Sequence, residues 1–182
     1  MRVKGCIFLV ALSVAVPLSF IAAAALLAGW FNIVINALSD LGHATRSNVA
    51  PLFNFGLSAG GALLIVVGVT CAAAKSKLIG YTLAASGFIL ILIAVFDEVY
   101  GRLHFYVSVA FFVSLAVLLA EYAILKRGIR AVLASLAIIV GVASWVLHRY
   151  YGIPPGAAIP ELISIAVASP FYIDFVLGKG GE

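Results

Sequence analysis

Between Lys4 and Asp40 the chain carries no charged side chain, and five more long apolar stretches follow, each with at most two acidic residues. A helix needs about 20 apolar residues to cross a bilayer's hydrocarbon. Runs of that kind cover roughly 5–28, 52–74, 78–96, 104–125, 131–148 and 160–177. In hydrocarbon every backbone N–H and C=O must find a partner within the protein, so these runs are read as α-helices. The alternating short segments of an outer-membrane barrel are not what the pattern shows. The expected fold is all-α: a polytopic bundle of six transmembrane helices in a cell membrane, with residues 1–182 as one integral membrane domain.

Composition agrees. Hydrophobic residues make up 65% of the chain and charged residues 10%. A soluble domain carries about a quarter charged residues, and a disordered chain is far less apolar. Both are excluded. The opening Met1-Arg-Val-Lys4 with its apolar run resembles a signal peptide, but the run is about 24 residues long. Signal-peptide cores span about 7–15, so it is read as a retained first span.

Orientation follows from the basic residues, which favour the cytoplasmic side. With the N-terminus inside, Arg2, Lys4, Lys75, Lys77, Lys126, Arg127, Arg130 and Lys179 lie inward, and only Arg46, Arg102 and Arg149 lie outward. Both termini are then expected to be cytoplasmic. The net charge of +4 reflects basic helix ends facing anionic lipid, and no nucleic-acid partner is expected. Cys6 and Cys71 both map near the inner face and read as small buried hydrophobes; no outer disulfide framework follows. The chain contains no Gln, a composition resembling that of heat-adapted proteins.

Four connections are short. The first outer one, about Gly29–Pro51, is long. Its first part reads as continuing the helix or lying at the membrane interface. Asn48 and Pro51 read as a side-chain cap and first-turn proline for the second span, and Gly152-Ile-Pro-Pro-Gly156 as a turn before the sixth. Gly56 and Gly60 form a GxxxG pair suited to close helix packing within the bundle.

Polar residues collect at the outer end. His43, His104 and His148 fall there with Asp40, Asp97, Glu98 and Glu161. His104–Ser108, Ser144–His148, Glu161–Ser164 and Asn54–Ser58 each share a helix face. Polar groups in a span turn toward the bundle or a wet cavity. The common solution is one outward-open polar pocket, lined by helices two, four, five and six and roofed by the first loop. Ser39, Asp40, Asn54, Asp97, Ser108 and Glu161 are its ligand-binding candidates. Glu121 is expected to meet Lys126 or Arg127, and Asp174 to reach toward Lys179, with no mechanism assigned to either.

Asn36-Ala-Leu-Ser-Asp-Leu-Gly42 after the first span, Pro51-Leu-Phe-Asn-Phe-Gly56 opening the second, Phe96-Asp-Glu98 ending the third and His104 opening the fourth form a pattern. It resembles the multi-spanning membrane family called "domain of unknown function 998", over nearly the whole chain. That resemblance implies a six-helix fold and no established activity.

The favoured functional expectation is an integral membrane protein that binds a lipid or lipid-like ligand in the polar pocket. One alternative is a metal-dependent hydrolase acting on an outer-leaflet lipid. Asp40, His43, His104 and His148 would be its catalytic candidates, with His43, His104 and His148 holding zinc around an activated water. A haem-binding or transport protein is the remaining alternative; the uncharged span middles argue against a proton relay.

Overall fold

The first helix ends where Gly29 turns the backbone to φ +70, a conformation that side-chain-bearing residues avoid. The segment after it therefore leaves the helix axis at once and does not prolong the span. The computed structural model describes residues 3–178. Its helices are α1 (Val3–Ala28), α2 (Ala50–Val67, extended by a π-turn over Gly68–Ala72), α3 (Lys77–Val95), α4 (Arg102–Leu125), α5 (Ile129–Tyr151) and α6 (Ala158–Leu177). Short 3-10 turns occupy Leu38–Gly42 and Glu98–Tyr100, and no strand occurs among the described residues. Among the described residues six helices are long and apolar enough to cross a membrane, as the apolar runs require.

Local signals set the ends. Ser76 caps α3 by accepting from the Ile79 N–H. Pro51 sits in the first turn of α2, but the cap is Val49, without a side-chain bond. Asn48 instead accepts from the Trp30 indole at 3.3 Å. Its side chain is drawn across the loop, which removes it from the expected capping role.

Five helices form a ring in the order α1, α2, α3, α4, α6, and α6 returns to α1 through the ring's smallest contact. Helix α5 packs outside, on α4 and α6, and buries only Ala134 and Ala137. Small residues let the ring close tightly. A side chain at Gly61 would strike the backbone of Gly87, and one at Gly87 the backbone of Gly61. Gly56 receives Phe20 and Gly60 receives Pro17, so the GxxxG pair serves packing of α2 on α1.

The two cysteines correct the sequence reading. Cys6 of α1 and Cys71 of the π-turn are joined in a disulfide, with Cα atoms 5.9 Å apart and a sequence separation of 65. Cys6 lies near the start of α1 and Cys71 just past the end of α2, at one end of the bundle, so packing of α1 on α2 brings them together. At this end, the end of the chain termini, Glu121 meets neither Lys126 nor Arg127. Its Oε1 accepts from Thr82 at 2.7 Å, and Oε2 is buried without a partner among the described residues. Asp174 accepts from the Tyr122 hydroxyl; Lys179 lies outside the described residues.

Candidate functional site

At the opposite end the long first loop, residues 29–49, folds into a lid. Leu38 and Leu41 point inward, 6% and 0% exposed. They pack with Ile21, Phe53, Leu57, Leu90 and Phe111. Apolar side chains therefore fill the mouth where the polar pocket was expected, and the polar groups surround the plug and fasten it.

Those fastenings can be followed residue by residue. Asp40 Oδ2 accepts from the Asn36 amide and from the Ala37 N–H, both at 2.9 Å, and so shapes the turn. Ser39 donates to Glu98 Oε1 at 2.7 Å, tying the lid to the link between α3 and α4. The Leu38 N–H donates to Glu161 Oε2 at 2.7 Å, tying it to α6. Asn54 of α2 donates to the Gly42 carbonyl at 2.9 Å. A side chain at Gly42 would collide with Asn54 and Phe53, so only glycine lets the lid lie this close. The N–H groups of Gly156 and Ala158 donate to Val34 and Asn36 carbonyls.

Glu98 is half-buried, and its carboxyl is pushed up from 4.5 to about 7. Loss of hydration is the main cause. The Ser39 hydrogen bond opposes it, the Asp40 charge adds to it, and Arg46 opposes it more weakly. The protonated acid can donate to the Asp40 carboxylate, and the ionised form would place two like charges together.

The remaining candidates go separate ways. His104 is buried; its Nδ1–H donates to the Phe96 carbonyl at 2.8 Å, and Nε2 lies 3.3 Å from Ser108. That pair behaves as its four-residue spacing suggests. His148 donates through Nδ1 to the Pro154 carbonyl at 2.8 Å, while Ser144 turns to its own backbone at Gly141. His43 lies beside Thr45. Asp97 caps the short turn through the Val99 N–H. Ser164 accepts from Trp145, so it does not pair with Glu161. Among the described residues no three His, Cys, Asp or Glu side chains gather as metal ligands. The donor set proposed for zinc does not fit a common ion.

Below the lid, at mid-depth, lies a chamber of about 90 Å³. One buried water needs about 10–15 Å³, so there is room for more. Its wall comes from α1, α2, α3, α4 and α6, and α5 contributes nothing. On α3 the lining runs from Leu83 to Leu90, and on α4 from Phe111 to Leu118. At 1.5 Å per residue the chamber is about 10 Å long. The wall is almost wholly carbon, with Ser13, Ser86, Ser169 and Tyr172 as its hydroxyl-bearing residues. Ser13 and Tyr172 meet at 2.6 Å across the α1–α6 seam.

Charge and histidine placement drew the sequence reading to the rim and past this chamber. The available signal was smaller: a few serines and one tyrosine in otherwise apolar span interiors, where a hydroxyl needs a reason.

A family model described as "Protein of unknown function (DUF998)" matches residues 10–175. The chain belongs to that family. Within this family's chain, the Ser39–Gly42 segment and Asn54 are the parts that shape and seat the lid. No curated protein and no solved structure matches the chain.

Proposed function

We propose that the chain is an integral membrane protein that binds a lipid-like ligand, with one hydrocarbon chain lodged in the mid-bundle chamber and the lid closing it from above. The observation that carries this reading is the chamber itself. It is elongated, lined by carbon, and lies at the depth of lipid tails. Its ring is thinnest at the α1–α6 seam, which gives a tail a sideways path from the bilayer. Packed interiors rarely leave space of this size unfilled. The binding site is thus set deeper than the rim and uses α1 and α3 in place of α5. In this reading the lid faces outward and both termini are cytoplasmic, as the eight-to-three division of basic residues favours. The partner is the bilayer.

Native mass spectrometry of protein extracted in mild detergent tests the proposal. A retained adduct of lipid-like mass is expected. Protein that flies free of any adduct, even from lipid nanodiscs, would count against it.

A further inference from the structure

The hydroxyls lining the chamber have already given away their protons. A serine or tyrosine hydroxyl has one proton and two lone pairs. Ser13 donates to the Val10 carbonyl at 2.8 Å, so the 2.6 Å contact with Tyr172 must be donated by Tyr172. Ser86 donates to the Thr82 carbonyl at 2.9 Å, and Ser169 to the Ile165 carbonyl at 2.7 Å. None has a proton left for a ligand. The hydroxyls of the lining, that of Tyr172 among them, therefore offer lone pairs and no donor.

Resting on the chamber as the binding site, we infer that its ligand is a long-chain alcohol, a hydrocarbon chain with one O–H that donates to the Tyr172 oxygen. An alkane fills the space and leaves the acceptors unpaired. An ionised fatty acid brings only more lone pairs, and a charge, into a site without donors. An alcohol fits both the carbon wall and the unmatched acceptors.

The test uses photoactivatable probes of equal chain length (an alcohol, an alkane and a carboxylate), each at the same mole fraction in nanodiscs holding the full chain. Cross-links are mapped to chamber peptides. The alcohol should label the chamber about fivefold more than the alkane, the net worth of one hydrogen bond, with the carboxylate lowest. Tyr172→Phe should lower the alcohol toward the alkane's level. Ser13→Ala leaves the Tyr172 proton free, and the carboxylate should then gain relative to the alcohol. Equal labelling by alcohol and alkane, or a preference for carboxylate in the unmodified chain, would overturn the inference while leaving the chamber reading intact. Failure of all three probes to label the chamber would overturn both.

Discussion

Ser39, in the lid, donates a 2.7 Å hydrogen bond to Glu98, which lies 59 residues later on the link between α3 and α4. With the Leu38–Glu161 bond it makes the lid's closure depend on two carboxyls from different parts of the bundle. Asp40 faces both of them, and Arg46 is the cation opposing the rise at Glu98.

Lid stability should therefore depend on pH. Folding raises the Glu98 carboxyl from 4.5 to about 7, so the folded chain holds that proton more tightly than the unfolded one. The stability this provides is fully present below 4.5 and is lost as pH rises through 7. The unfolding midpoint in detergent should fall between pH 5 and pH 8. Glu98→Gln should remove the part of that slope owed to this residue; matching slopes in the two proteins would refute the assignment.

Gly42→Ala should loosen the lid. The added methyl would lie within 2.5 Å of Asn54 Oδ1 and 2.8 Å of the Phe53 ring. Relieving such overpacking costs about 1–3 kcal/mol. Tryptic cleavage after the exposed Arg46 should become faster than in the parent chain.

The Cys6–Cys71 link closes a segment with a sequence separation of 65. Chain-entropy arguments allow up to about 4 kcal/mol for a loop of that size. Helices that remain in the membrane after unfolding reduce this. Cys71→Ser, or reductant on the parent chain, should lower the thermal midpoint, and the two treatments together should lower it no further.

Thr82→Val removes the donor to Glu121 Oε1 and leaves a buried carboxyl whose other oxygen already lacks a partner. The expected loss is about 1–3 kcal/mol. The double change Thr82→Val with Glu121→Leu should recover much of it, because an apolar pair leaves nothing unpaired. Denaturant unfolding of the single and double variants measures the difference.

The six spans were legible because the bilayer imposes one strong rule, length with little charge, and each run obeys it. Boundaries at Gly29 and Pro51 were marked by residues whose backbone preferences are strong. The lid was half legible. Asp40 stood out as a polar residue in an apolar segment, and its bonds to Asn36 and Ala37 show it shaping a turn. Leu38 and Leu41 gave no sign that they would plug the mouth, since an apolar side chain in a loop reads equally well as interfacial. His43, His104 and His148 shared an end of the bundle without sharing a site, because common depth says nothing about direction around a helix axis. Cys6 and Cys71 failed in the opposite sense: the same depth did mean contact, through the pairing of α1 with α2. The chamber was least visible, for it depends on how five helices leave space between them.

The most direct measurement compares lipid-like ligand retained by the parent chain and by Ala168→Phe, at equal folded concentration, by native mass spectrometry. Ala168 is 3% exposed and lines the chamber, so the phenyl ring would occupy the proposed site. The parent should carry the ligand and the variant should have lost most of it, with the lid still closed to trypsin at Arg46. Equal retention by both proteins would contradict binding in the chamber.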